Sequence, residues 1–83
     1  MSIKYFAQNI EYNLFMKIFA DRLKELREEA GLSQKAMAKK LDISSGAYCY
    51  YETNVNEPSI VVLKKIADYF DVTADYLLGR TDY

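Results

Sequence analysis

The predicted fold depends mainly on residues 34–53, QKAMAKKLDISSGAYCYYET. Its apolar residues recur at helical spacing in two short blocks, and each block follows a serine, Ser33 or Ser44, that can cap a helix. The pattern predicts one helix over residues 34–41, a three-residue turn, and a second helix over residues 45–53. This arrangement buries one side of each helix and leaves the N-terminal end of the second helix projecting outward.

Helical periodicity extends on both sides of this stretch. Apolar residues recur over residues 18–30, and a glycine then ends that helix. After a loop at residues 54–58, Ser59 caps a fourth helix, and Thr73 caps a short fifth helix that ends at Gly79. Five helices joined by short loops predict an all-α protein with one compact domain.

Residues 1–15 form an extension that precedes the helical domain predicted for residues 16–83. Charges are rare in the extension, and its main apolar positions share a helical period: Ile3, Phe6, Ile10 and Leu14. Three interpretations stay open. The extension is an extra helix that covers part of the core, a helix that binds a protein partner or a second copy, or a flexible tail.

The composition argues against catalytic chemistry. Among its 83 residues the chain has no histidine and one cysteine, Cys49, so the commonest general base and an all-cysteine metal site are both missing. We therefore expect no catalytic residues, no metal, no cofactor and no enzyme activity. The apolar runs are too short to span a membrane, and the N-terminus lacks the order of a signal peptide. We expect a cytoplasmic protein.

Residues from about 18 to 82 resemble the lambda-repressor and Cro-like helix-turn-helix family, the xenobiotic-response-element type. The resemblance lies in FADRLKELREEAGLSQKAMAKKLDIS, residues 19–44, and YYETNVNEPSIVVLKKIADYFDVTADYLLG, residues 50–79. It implies a sequence-specific transcriptional regulator, a repressor that acts as a homodimer on double-stranded DNA. In such a protein the second helix of the motif, the recognition helix, enters the major groove.

The resemblance also assigns residues to the DNA. The candidate DNA-contacting positions are Gln34, Lys35, Lys39, Ser44, Ser45, Gly46, Tyr50, Asn54 and Asn56. Lys39 either contacts a phosphate or is a solvated surface charge. Gln34 is expected to donate to a phosphate, while Tyr50 either donates to a phosphate, packs on a thymine methyl group, or has no role. Gly46 reflects either sequence drift or a close approach of the backbone to DNA or to another helix. Arg27 and Glu52 match a pair that ties the first helix to the recognition helix by an ion pair.

The charges depart from the family pattern. The net charge is −1, and the outward face of the recognition helix carries neither a positive charge nor an amide. Because phosphate neutralisation supplies most nonspecific affinity, one protomer should bind DNA weakly, which favours a dimer. Phe6 and Tyr76 are candidates for the dimer surface. The alternative function is a protein-interaction module with little DNA affinity, since the outward face of the recognition helix is neutral and rich in tyrosine and the N-terminal extension is apolar. Of its tyrosines, Tyr48 and Tyr51 are predicted to face the core.

Overall fold

The computed structural model describes the backbone of residues 3–83 and the side chains of residues 13–83. It contains the helices α1 (Ile3–Glu29), α2 (Gln34–Leu41), α3 (Ser45–Glu52), α4 (Ile60–Phe70) and α5 (Ala74–Leu77). No strand occurs in this part of the chain. The predicted all-α fold is therefore confirmed, and α2 and α3 form the predicted helix-turn-helix.

Hydroxyl groups cap the start of each helix from α2 to α5. Four side chains each accept a hydrogen bond of 3.0 or 3.1 Å from the backbone N–H three residues later: Ser33, Ser44, Ser59 and Thr73. Such caps stabilise a helix by about 1 kcal/mol each. Asp42 and Asn54 adopt the left-handed conformation at the ends of α2 and α3, with φ of 60° and 63°. The predicted starts of α2, α3, α4 and α5 are confirmed.

The first helix is longer than the sequence pattern indicates. The periodicity predicts a start near Ile18, whereas α1 is one helix of 27 residues that begins at Ile3. No glycine or proline interrupts the sequence from Ile3 to Glu29, so no local signal ends the helix between them. The backbone of residues 3–15 thus continues into the first helix of the bundle and is not a separate extra helix. The division at residue 15 stays a prediction, and the side chains of Ile3, Phe6 and Ile10 lie outside the described residues.

The core lies between the C-terminal half of α1 and the four shorter helices. Its largest fully buried side chains are Phe19, Leu23, Met37, Leu41, Tyr48, Ile66 and Leu77. Two positions that share the helical period, Ala30 and Ile60, are instead exposed. Ala30 comes after the last residue of α1, and Ile60 is the first residue of α4, so both lie where their helices leave the core.

Gly79 lies close to α1, which leads to the first prediction. Its φ is +78°, and a Cβ atom at this position would stand 2.9 Å from both Cδ1 and Cγ2 of Ile18. Gly79→Ala is expected to lower the free energy of unfolding by about 1–3 kcal/mol, because it combines a left-handed backbone with a steric overlap. Urea denaturation measures the change.

Gly46→Ala is the matched control for this prediction. Gly46 is helical, and a Cβ atom there would meet nothing within 4 Å. The control is expected to stabilise the protein by about 0.5–1 kcal/mol, since alanine has the higher helix propensity. If Gly79→Ala left the stability unchanged, the predicted contact between residue 79 and Ile18 would be wrong.

Candidate nucleic-acid interface

Two helix N-termini and two lysines border one open groove on the surface of α2 and α3. This α2–α3 groove has a volume of about 580 Å³, and its polar lining comprises Ser33, Lys35, Lys39, Asp42, Ser44 and Ser45. Ser33 and Ser44 are the N-caps of the two helices, so both helix N-termini lie at the groove. The N–H groups and the dipole of a helix N-terminus attract anions, and phosphate is the common example.

The lysines of α2 divide between two surfaces. Lys35 and Lys39 line the groove, and neither has an ion-pair partner among residues 13–83. Lys40 instead lies over the ring of Tyr69 in α4, with its Nζ atom 5.4 Å from the ring centroid. Among the described residues that line the groove, Asp42 is the single acid. The groove is therefore locally positive although the chain carries a net charge of −1.

Behind the groove, Glu52 accepts hydrogen bonds from three side chains. Arg27 donates from Nε to Oε2 at 2.6 Å and from Nη2 to Oε1 at 3.1 Å. Gln34 donates from Nε2 to Oε1 at 3.1 Å, and the hydroxyl of Tyr48 donates to Oε2. The Glu52 side chain is 2% exposed and that of Arg27 is 12% exposed. The four side chains, which we call the Glu52 network, join α1, α2 and α3, and they include the predicted ion pair.

Sequence reasoning missed two members of this network. It assigned Gln34 to a phosphate and Tyr48 to the core, and it gave neither a contact with Glu52. Tyr48 is fully buried, as predicted, and its i,i+4 spacing from Glu52 is the signal that could have revealed the hydrogen bond. The amide of Gln34 has two hydrogens, and one of them is donated to Glu52. The second hydrogen can still be donated to a phosphate, so the expected phosphate contact stays a proposal.

The outer surface of α3 begins with small residues. Ser45 and Gly46 are exposed. Apart from Gly46, its two neighbours and the backbone of its own helix, no atom of the described residues lies within 4 Å of the position that a Cβ atom of Gly46 would take. Close packing against another helix of this chain therefore does not explain the glycine. Tyr50 is 50% exposed, whereas Tyr51 is half-buried and packs against the core, as predicted.

The remaining predicted contacts lie at the other end of α3. Asn54 and Asn56 are exposed, and the backbone N–H groups of Val55 and Asn56 donate to the carbonyl of Tyr50 at 2.9 and 3.2 Å. A helix of eight residues is about 12 Å long, so the two asparagines lie roughly that far from the start of α3. The structure thus brings Lys35 and Lys39 together with Ser44 and Ser45, but it does not bring Asn54 and Asn56 to that groove.

The protonation of Glu52 leads to the second prediction. Burial raises the pKa of Glu52, but hydrogen bonds from Arg27, Tyr48 and Gln34 outweigh burial and lower the pKa below its ordinary value of 4.5. The folded protein therefore binds this proton more weakly than the unfolded chain does. The resulting stability is complete above about pH 4.5 and is lost as the pH falls toward the lower folded value.

We expect the free energy of unfolding to fall as the pH is lowered below about 4.5. Urea denaturation between neutral pH and pH 3 measures this dependence. The Glu52→Gln variant removes the titrating group and should show a flatter profile over the acid range. Identical slopes for the natural chain and the variant would contradict a lowered pKa at Glu52.

Within the described residues, no three His, Cys, Asp or Glu side chains converge in a way that could hold a metal ion. Over the same part of the chain, no helix combines the length and the apolar character needed to cross a bilayer.

Comparison with known proteins places the chain in a family. A helix-turn-helix family model matches residues 23–77. In Bacillus subtilis, the HTH-type transcriptional regulator ImmR is 39% identical over 74% of this chain and 48% of its own length. AnsR, another HTH-type transcriptional regulator, is 43% identical over 72% of this chain and 52% of its own. YonR, an uncharacterized HTH-type transcriptional regulator derived from the SPbeta prophage, is 38% identical over 77% and 59%.

The chain spans about half the length of the curated relatives it matches. The residues that the family model matches contain α2, the turn and α3. These elements form the α2–α3 groove and carry most of the Glu52 network. Because the family model covers more than half of the residues, the chain belongs to the helix-turn-helix family, of the lambda-repressor and Cro-like type that its sequence resembles.

Proposed function

We propose that this chain is a sequence-specific DNA-binding transcriptional regulator, a repressor that acts as a homodimer in the cytoplasm. The observation that carries the proposal is the α2–α3 groove, where Lys35 and Lys39 lie beside two helix N-termini without an ion-pair partner among residues 13–83. Two relatives, ImmR and AnsR, are named as transcriptional regulators, which supports the same function here. The prophage origin in the name of YonR supports a role in a mobile element.

In the proposed complex, α3 enters the major groove by its N-terminal end while α2 crosses the phosphate backbone. Lys35 and Lys39 neutralise phosphates, and the second amide hydrogen of Gln34 donates to another. The Glu52 network touches no base. Its role is to hold α3 at a fixed angle to α1 and α2, so that both helices meet the DNA together. A bound dimer would repress by blocking access of the polymerase to the promoter.

A homodimer is proposed because one protomer offers few phosphate contacts. Each neutralised phosphate contributes about 0.9 to the slope of log K against log salt. Two protomers on a two-fold site therefore double the number of phosphate contacts and that slope. Of the two candidate dimer positions, Phe6 lies outside the described side chains. Tyr76 is half-buried under the guanidinium of Arg22, which is 4.3 Å from its ring centroid, so this ring packs within its own protomer.

A different surface supports contact with a second copy. Three exposed apolar side chains follow α3, at 60%, 85% and 63% exposure: Val55, Ile60 and Val61. Because they come directly after the recognition helix, a two-fold contact there would place the α3 helices of both protomers on one face of the DNA. Sedimentation of the chain with and without duplex DNA tests for the dimer, and a strictly monomeric complex would contradict it.

The alternative function, a protein-interaction module, was expected from a tyrosine-rich outer face of α3 and from the apolar N-terminal extension, whose side chains up to residue 12 lie outside the described residues. Tyr48 is fully buried and Tyr51 is half-buried against the core, so Tyr50 is the one tyrosine of this helix that is largely exposed. No cluster of exposed tyrosines remains on the described surface of α3. DNA binding is therefore the function that the geometry supports better.

Salt-titrated binding tests the proposed function. Affinity is measured first for random duplex DNA and then for the DNA upstream of the chain's own gene. We expect log K to fall linearly with log salt, by about 3.6 per decade if Lys35 and Lys39 of two protomers each meet a phosphate. We also expect the upstream DNA to bind more tightly than the random duplex. Affinity that is independent of salt and shows no preference would contradict the proposal.

A further inference from the structure

The surface that α3 offers to the DNA lacks the side chains that pair bidentately with bases. Arg or Lys makes such a contact to guanine, and Asn or Gln makes it to adenine. The outward positions at α3 carry hydroxyls, a bare backbone, a thiol and a phenol: Ser44, Ser45, Gly46, Cys49 and Tyr50. Glu52 is the charged residue of this helix. Its side chain is 2% exposed and accepts hydrogen bonds from three side chains, so it does not contact the bases.

The nearest amides do not replace the missing contacts. Gln34 lies in α2 and gives one amide hydrogen to Glu52, and the proposed complex uses its second amide hydrogen for a phosphate. Asn54 and Asn56 come after the C-terminal end of α3, about 12 Å from the end that enters the groove. The start of α3 must therefore recognise bases by single hydrogen bonds and by shape.

One base feature fits such a surface, the C5 methyl group of thymine. Gly46, Cys49 and Tyr50 are related by i, i+3 and i+4 spacing and so share one face of α3. The place of a Cβ atom on Gly46 is open space, which leaves room for a methyl group from outside the chain. The half-exposed ring of Tyr50 and the thiol of Cys49 supply apolar surface on the same face of α3. Apolar contact with its methyl group is an established way of recognising thymine.

We infer that α3 selects operators by the C5 methyl groups of thymines that lie over Gly46, with guanine contributing little. The inference rests on the proposed function and names the class of DNA that the same surface takes. Each half-site then presents thymine at the start of α3, while Lys35 and Lys39 hold the flanking phosphates.

Replacement of thymine by uracil tests the inference, since uracil lacks only the methyl group. The chain is used to select duplexes from a randomised pool, and the selected duplex is synthesised again with deoxyuridine in place of thymidine. Loss of one buried methyl group in each half-site is expected to weaken binding about 15-fold. The same duplex with 7-deazaguanine in place of guanine, which removes an acceptor in the major groove, is expected to bind as before.

Variants connect the effect to α3. Gly46→Ala fills the open space, so it should weaken binding to the thymine duplex and abolish the difference between thymine and uracil. Tyr50→Phe keeps the ring and should retain that difference, whereas Tyr50→Ala should reduce it. Circular dichroism and thermal unfolding of each variant verify that the fold is intact, and for Gly46→Ala we expect no loss of stability, since no atom obstructs the added Cβ.

Three results would overturn the inference. Equal affinity for thymine and uracil duplexes, with salt-dependent binding retained, would remove methyl recognition and leave the proposed function standing. A large loss with 7-deazaguanine but none with uracil would show that guanine is read instead. Absence of binding to any duplex would overturn the proposed function and this inference together.

Discussion

Glu52→Ala is expected to lower the free energy of unfolding by about 3–5 kcal/mol, the usual cost of removing one partner of a buried ion pair. The variant leaves the guanidinium of Arg27, which is 12% exposed, without its carboxylate. It also leaves the buried hydroxyl of Tyr48 without its acceptor. A domain of this size has a total stability of about 4–12 kcal/mol, so the variant should lose at least about a quarter of the total.

Urea and thermal denaturation measure this loss. Glu25→Ala is the matched control, because Glu25 is an exposed acid of α1 and its removal should change the stability by less than about 0.5 kcal/mol. Tyr48→Phe removes one donor and keeps the ion pair, so it should cost about 1 kcal/mol. Should Glu52→Ala be as stable as Glu25→Ala, the Glu52 network would have no part in holding the three helices together.

Lys35→Ala combined with Lys39→Ala is expected to weaken binding to duplex DNA about 1,000-fold at 0.15 M salt while leaving the fold intact. If two protomers each lose two phosphate contacts, the slope of log K against log salt becomes shallower by about 3.6. Extrapolation from 1 M to 0.15 M salt converts that slope into a loss of roughly three orders of magnitude. Fluorescence anisotropy across a salt series measures both the affinity and the slope.

A second double variant controls for net charge. Lys24→Ala combined with Lys64→Ala removes the same charge from α1 and α4, at exposed positions that do not line the α2–α3 groove. The ion pair of Lys64 with Asp68 is exposed on both sides, so its loss costs little stability. Equal losses of affinity in the two double variants would mean that overall charge, and not the groove, governs binding.

Much of this fold could be predicted from sequence because its signals are local. A capping serine and the N–H group that it satisfies are three residues apart, as in Ser33 with Ala36 and Ser44 with Ala47. The bounds of α2 and α3 and the left-handed residues between elements follow from such short-range patterns. The start of α1 was predicted too late, because the helical period is clearest from Ile18 onward and no glycine or proline between Ile3 and Glu29 separates the earlier residues from that helix.

The candidate site depended more on tertiary structure. The sequence does not distinguish the three lysines of α2, Lys35, Lys39 and Lys40. In the fold, Lys40 lies over the ring of Tyr69 in α4, whereas the other two line the groove. Position in the family motif paired Arg27 with Glu52, which are 25 residues apart. The contact of Gln34 with Glu52 depends on the angle between α2 and α3, because the two residues are 18 positions apart in the chain. That angle is a property of the tertiary structure.

The sequence alone was thus enough to predict five helices, the capped starts of the last four, and the helix-turn-helix that α2 and α3 form. These features depend on hydrogen bonds and apolar spacing within a few residues. Only the tertiary structure decided which charges remain unpaired and which tyrosine of α3 faces outward. The residues that neutralise a charge or bury a ring are distant from it in sequence. The packing of the helices therefore determines that the groove is locally positive in a chain whose net charge is −1.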